Sequence, residues 1–563
     1  MPTKATSRQE LLESYAFPVE PAHDFERSGI PAQFASGHPK HWDQDIETID
    51  FSVHDKGGDQ LTYSSYHTAL STDQRLLAIS TRAEHILIYD VASKELRQVL
   101  QGAGSLAFRP SIDTEERTEG NGEIADREGY TLVSSISDSA SRGGPKKNRL
   151  VFWDLDQHGR IVDEEEAIDP AIFAAKAVAA IASELSAGYE WTKEFISAST
   201  LQADFEKALA QAAADHSRRH NTILDDAHLA NFGSVPFSSD GRLFLYHTQN
   251  GSTQQGTREP DALPMVVLYD VDTSKELFRF SGHTDAIMWS AISPDSEYVA
   301  SVSWDGTLRM YTVSSGELLW ASENSGGQSW AGAFSADSEH IVWSSKNGHT
   351  IQVHNVANGN LLSTFQEKFT DWCRCLVWHP TRKEIALCVD QHAYVWDVFN
   401  KSNDSVLQHF QLDGDGGRWR HIASIERVAW MDNGQLLSLE CSEGTKLVYD
   451  TASNAKELFM RSTGAHAAWV DRGFYGLFRT SDDEDFYLSI DGDGKIRHWR
   501  SSVAAYPSWW EKEIAIMAPE KKPFPETGKY VKITKKSDKP PPQEEEASRD
   551  TWAGKGAELW TAE

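Results

Sequence analysis

The chain reads as an all-β repeat protein, and two observations carry that reading. Tyr269-Asp270, Tyr311-Thr312, His354-Asn355 and Trp396-Asp397 each close a short apolar strand, and their first residues lie 42, 43 and 42 positions apart. A fixed period near that length marks one supersecondary unit copied several times. Within each period, runs that alternate apolar and polar residues are separated by Ser, Asp and Gly turns, which is the antiparallel-sheet signal.

Residues 1–44 are polar and irregular and read as a flexible arm. Alternation returns over residues 45–53, which predicts one strand. Repeats then run to Ser501. Leu76–Ser80 with residues 86–91, residues 298–304 with 308–313, 385–389 with 393–398, and 486–490 with 496–499 are the clearest strand pairs. Third strands end near Asp90, Asp154, Asp270, Thr312, Asn355, Asp397, Asp450 and Arg500, eight in all.

Two spacings are long, and both insertions fall in the second unit. Residues 111–130 form an acidic loop. Residues 157–221 carry helical signals: Asp169-Pro170 is a cap followed by a first-turn proline, with Ala174, Val178, Ile181 and Leu185 as the apolar stripe. Ser199 and Gln202 form a capping box for a second helix striped by Leu201, Phe205, Leu209 and Ala212. After Ser501 the pattern stops. Residues 502–563, with their lysines, prolines and a Glu run, read as a largely disordered tail.

Composition narrows the function classes. Aromatics are plentiful, with 19 Trp, 24 Phe and 16 Tyr, so a large core is available. Asp and Glu outnumber Lys and Arg by 84 to 54, a net charge of −30. Such a field repels phosphate and anionic lipid, so no direct nucleic-acid or membrane partner is expected, and basic protein partners are favoured. The four cysteines suggest no disulfide framework. The start lacks the apolar core of a signal peptide, and the longest weakly apolar stretch carries Lys176 and Glu184. The expectation is a cytoplasmic or nuclear protein, not a secreted one.

The unit at Gly282-His283, Ser301, Asp305-Gly306 and Tyr311 resembles a WD repeat. In that family His, Ser or Thr, Asp and Trp form a hydrogen-bonded chain tying the strands together. His466, Ser489, Asp493 and Trp499 match in the last unit. The sixth keeps Asp390 and Trp396 but has Ala386 at the Ser position, and the seventh has Glu443 and Tyr449. The resemblance covers residues 45–501. It implies a β-propeller of eight blades, with residues 45–53 as the last blade's outer strand. Seven blades with one irregular unit outside the ring is the alternative.

The resemblance also implies where a partner sits. The residue four before each first strand's apolar anchor lines the channel opening on the top face in this family. Here that places Tyr66, Met288, Trp330, Arg374 and Glu426 at the opening, and Trp304 and Trp372 beside it. Aromatics, Met and Arg are the types enriched at binding hot spots.

Searches for chemistry return little. No phosphate loop, Gly-x-Ser-x-Gly or His-Glu-x-x-His occurs. Asp413-Gly-Asp415-Gly lacks calcium-loop spacing, with Ser424 where a Glu is needed. Cys373, Cys375 and His379 lie in an alternating strand pattern where Cys packs as a small apolar residue. His216 and His220, near Asp225, Asp226 and His228, read as a basic helix end. Trp-Asp followed one residue later by Arg, found in many ubiquitin-ligase substrate receptors of this family, is absent after Trp153, Trp396 and Trp499. The expectation is a noncatalytic interaction scaffold without metal or cofactor, a subunit of a multiprotein complex, with the helical insertion as a second surface. A histone or chromatin adaptor and a propeller enzyme are the rival readings.

Overall fold

A computed structural model describes residues 21–39, 43, 47–54, 66–110, 129–138, 147–162, 222–230, 235–248, 263–369, 371–400, 405–412, 424–442, 444–459, 473–477 and 485–501. The expected helices within 157–221, the bulk of the acidic loop and the tail after residue 501 lie outside them. The described residues belong to a unit spanning Met1–Ala505 and contain no α-helix.

Eight antiparallel sheets follow one another along the chain. Blade one is His67–Leu70, Leu76–Ser80, His85–Asp90 and Leu96–Gln101, hydrogen-bonded in that order. Seven third strands end at the residue the repeat predicts; the second, Lys147–Leu155, runs one residue further. First strands of successive blades lie side by side, His67–Leu70 on Leu106–Phe108 and Ile287–Ile292 on Gly332–Phe334, so they line the axis. Gly332–Phe334 packs in turn on Cys375–Trp378, and that strand on Ile425–Met431. Segment 163–221 connects the third strand of blade two to its outer strand, Thr222–Asp225.

Period two explains the packing. In blade six, Ile385, Leu387, Val389 and Trp396 face blade five, whereas Ala386, Cys388, Ala393 and Val395 face blade seven. The middle strands are thus buried on both faces and serve two cores. The same division recurs between every neighbouring pair, including blades eight and one, where Leu488 and Ile490 meet Leu77 and Ile79. Close approach demands small residues at some seams: a Cβ on Gly332 would lie 2.8 Å from the ring of Trp289.

The turn after each first strand shows how the sequence sets the local shape. Ser71, Ser238, Ser293 and Ser335 each donate Oγ–H to an Asp two residues on, at 2.5–2.6 Å. Each hydroxyl also accepts the backbone N–H five residues on, at 2.9–3.0 Å. The fourth turn residue, Gln74, Gly241, Ser296 or Ser338, takes positive φ. In blade six His379 replaces the serine, its Nδ1 accepting the N–H groups of Thr381 and Arg382.

The ring closes through an early strand. Glu47–Asp50 pairs antiparallel with Lys495–Arg500 and completes blade eight, and Phe51 is fully buried where blades eight and one meet. Part of the stretch expected as a flexible arm is also placed on the propeller. Residues 21–39 run along the outer edges of blades six and seven, and Gln33–Phe34 adds a parallel fifth strand beside Ala455–Lys456. Phe25 is buried between Phe410 and Tyr449, Asp24 accepts from Tyr449 Oη at 2.7 Å, and Lys456 pairs with Asp24.

His23 of this strap packs on His409 with centroids 5.4 Å apart and the rings tilted by 36°. His409 in turn shares a 2.9 Å hydrogen bond with His392 and lies 4.7 Å from the Tyr394 ring. Burial, then His392 and His23, push His409 down to about 4; burial does the same to His228 and His498. These side chains are neutral in the folded state, whereas unfolded histidine titrates near ~6.5. Between those values the unfolded chain binds more protons, so stability falls as pH falls through that window. Thermal melts from neutral pH down to about pH 4.5 are expected to show a steep loss that His409→Gln makes shallower. A wild-type melting temperature flat over that range would contradict the assignment.

Candidate functional site

The WD-type residues serve structure. In blade four, His283 Nδ1 donates to Asp305 Oδ2 at 2.9 Å, and its Nε2 accepts from Ser301 Oγ at 2.8 Å. Burial opposes ionisation of Asp305, but hydrogen bonds from His283, Thr307 and the Thr284 N–H hold its carboxyl well below the usual range. Tyr311 stands where the family has Trp and donates instead to the Ser281 carbonyl at 3.0 Å, tying blade four to the chain leaving blade three. Where Trp is present the indole reaches the serine: Trp153 to Ser134 at 2.9 Å and Trp499 to Ser489 at 3.0 Å.

Asp493 pairs with the buried Arg497, which also grips Asp491, each at 2.7 Å. His466 and Glu443 lie outside the described residues. Asp390 occupies the positive-φ turn of blade six, and Trp396 is buried edge-on against Phe365.

The residues expected at the channel mouth separate into three groups. Met288, Trp304, Trp330, Trp372 and Arg374 come together at the N-terminal ends of the inner strands of blades four to six. Trp330 and Trp372 stack at 4.9 Å and 23°, and Trp304 meets Trp330 at 5.2 Å and 63°. The Arg374 guanidinium lies over both rings, 4.6 Å from the Trp372 centroid and 5.0 Å from that of Trp330. Trp330 and Met288 form the floor, 2% and 8% exposed, whereas Trp304, Trp372 and Arg374 are half-buried above them. Glu426 is exposed at the same end of blade seven's inner strand.

Tyr66 is placed elsewhere. It is 1% exposed and packs edge-on against Phe51 at 5.1 Å, in the core joining blades eight and one. The closing segment that brings Phe51 covers it, which counting back from Leu70 could not register.

Sequence reasoning missed two supports of the mouth. Gly348, at φ +76°, lets the strand turn of blade five touch the Trp372 segment: a Cβ there would lie 2.9 Å from Cys373 N and 3.1 Å from Trp372 Cα. Its carbonyl accepts Cys373 N–H at 3.0 Å. Asp371 accepts the Trp372 N–H at 2.7 Å and so caps the segment. Asn347-Gly348 is a turn signal visible in the sequence; nothing marks Asp371.

The mouth offers apolar faces and a cation. Burial lowers the affinity of Arg374 for its proton, and the nearby charges of Asp371 and Glu426 partly restore it. Cys373, beside Trp372 in the chain, is fully buried, and burial pushes its thiol well up, the opposite of an activated nucleophile. Both nitrogens of His379 are engaged, Nδ1 in its turn and Nε2 with the Gly434 carbonyl at 3.0 Å. Among the described residues, Asp337, Glu339 and His340 are grouped closely enough to hold a metal. Lys383 already sits there, paired with Asp337 and 3.9 Å from Glu339, so that cluster is an exposed ion-pair network.

Comparison with known proteins agrees with this geometry. The sequence model for "WD domain, G-beta repeat" matches residues 274–312, from the outer strand of blade three to the third strand of blade four. The Lissencephaly-1 homolog of Caenorhabditis briggsae is 26% identical over 120 residues, 21% of this chain. That match spans 30% of the relative's own length. The crystal structure of Saccharomyces cerevisiae Sqt1 superposes with a TM-score of 0.51 at 10% identity, over 82% of this chain and all of that one. The computationally designed Ika8 protein gives a TM-score of 0.45 at 15% identity, over 78% of this chain and 97% of its own. With its period, its His283–Ser301–Asp305 chain and eight blades closed by an early strand, the chain folds as a β-propeller in which residues 274–312 match the WD-repeat model.

Proposed function

We propose that this protein is a noncatalytic interaction scaffold that takes a peptide or loop of a partner protein at the mouth built by blades four to seven. The observation that carries the reading is the Trp304–Trp330–Trp372 group with Arg374 laid across it, Trp304, Trp372 and Arg374 half-buried above Trp330. Aromatic and Arg side chains on a rigid scaffold are the residue types that dominate binding energy. The sharing of each blade's middle strands between two cores supplies the rigidity.

The depth of each tryptophan sets what its removal does. Trp330→Ala empties the floor and is expected to cost about 3–5 kcal/mol of stability. Trp372→Ala removes a half-exposed face; it is expected to leave the melting temperature within a few degrees and weaken the partner about 30-fold or more. Affinity purification of tagged wild-type and Trp372→Ala protein, with mass spectrometry and thermal melting, tests both. Partners retained in full by a folded Trp372→Ala variant would move the interface away from the mouth. The reading includes membership of a multiprotein complex in the cytoplasm, the nucleus or both, which fluorescence imaging of the tagged protein tests.

A further inference from the structure

The mouth is unbalanced in hydrogen-bonding groups. The indole N–H of Trp304, the Nε–H of Arg374 and the Ser329 hydroxyl are all buried there and meet no partner among the described residues. Arg374 forms no ion pair among them either. The carboxylates close by are turned to local work, Asp371 capping Trp372 N–H and Glu426 accepting Ser424 Oγ–H at 2.7 Å. A buried donor left without an acceptor costs about 1–3 kcal/mol, and more when charged. The guanidinium is a planar fork of five donors that matches a carboxylate. Its position over two indole faces fixes that plane and removes much of the rotamer entropy a ligand would otherwise have to freeze.

Resting on the reading that the mouth binds a peptide, we infer that the bound segment presents a carboxylate, from an Asp or Glu side chain or a chain terminus, to Arg374, with an apolar side chain against Trp304 and Trp372. The overall charge of −30 selects whole partners that are basic; the mouth selects a local acceptor. Among the described residues, the charges of Asp371 and Glu426 act on Arg374 and oppose the approach of that acceptor, which makes Glu426 a tuning residue.

Panning a random peptide library on immobilised full-length protein tests this, with parallel selections on Trp372→Ala, Arg374→Gln, Arg374→Lys and Glu426→Gln after thermal melting confirms folding. The expected result is enrichment of Asp, Glu or a free C-terminus beside an aromatic or aliphatic residue. Binding of the selected peptides should fall about 10- to 100-fold on Arg374→Gln, the size of a lost charge-assisted pair. It should fall less on Arg374→Lys, and hold or tighten on Glu426→Gln. If Arg374→Gln does not fold, loss on Arg374→Lys carries the same weight. Enriched Lys or Arg peptides that survive Arg374→Gln and are lost on Glu426→Gln would overturn the inference while leaving the mouth a peptide site. A library yielding no Trp372-dependent binder would overturn both.

Discussion

A chain lacking residues 1–54 is expected to lose its cooperative fold at physiological temperature. The truncation removes Glu47–Asp50, which pairs with Lys495–Arg500, and leaves that strand as an open edge. It also removes Phe51 and Phe25, each essentially inaccessible to solvent. Buried Phe side chains are worth about 3–5 kcal/mol each against alanine. Together they approach the whole stability of an ordinary domain, about 5–15 kcal/mol. A shorter truncation, missing only residues 1–39, keeps the closure and loses the strap, so it is expected to melt lower but still cooperatively. Circular dichroism melts of the two truncations measure this. A chain without residues 1–54 that melts with the full-length protein would remove this segment from the closure.

Asp491→Ala is expected to be nearly as damaging, at about 3–5 kcal/mol. Asp491 is buried between blades seven and eight, 2.7 Å from Arg497 and 3.3 Å from Lys446, whose side chain is wholly enclosed and also 3.5 Å from Glu440. Burial opposes its ionisation, but Lys446 and Arg497 hold its carboxyl below the usual range. Removing it leaves the enclosed Lys446 with Glu440 alone and Arg497 with Asp493 alone, one carboxylate short in the interior. Adding Lys446→Met is expected to recover part of the loss, because an apolar replacement needs no partner. Chemical denaturation of wild type, single and double variants gives the comparison; a single variant unchanged within about 0.5 kcal/mol would make the network energetically neutral.

The ring was legible because it is periodic. Third strands ending at Asp270, Thr312, Asn355 and Asp397 are marked by local pattern, and closure follows from the leftover strand near residue 50. The strap was not legible. His23, Asp24 and Phe25 meet His409, Tyr449 and Phe410, nearly four hundred residues or more away, and no local signal announces contacts of that separation. The mouth fell between. Register put Trp330 and Arg374 at the correct end of their strands, but depth depends on which neighbours arrive, and Trp304, Trp372 and Arg374 arrive from other blades to cover Trp330. The same limit misplaced Tyr66 and gave no warning that Asp493 would turn to Arg497.

Closure by Glu47–Asp50 also imposes a schedule on biosynthesis. The strand leaves the ribosome early, yet its partner, Lys495–Arg500, is made roughly 450 residues later. At about 5–20 residues per second, that interval is on the order of 20–90 seconds. Throughout it the first blade has no neighbouring blade on one side, and the apolar face formed by Leu77 and Ile79 lacks Leu488 and Ile490, its partners from blade eight, until they emerge. Blades two to seven can add in order as they are translated. The final step is different: it joins the first strand of the ring to the last, so the circle becomes complete only when the whole repeat array has been synthesised.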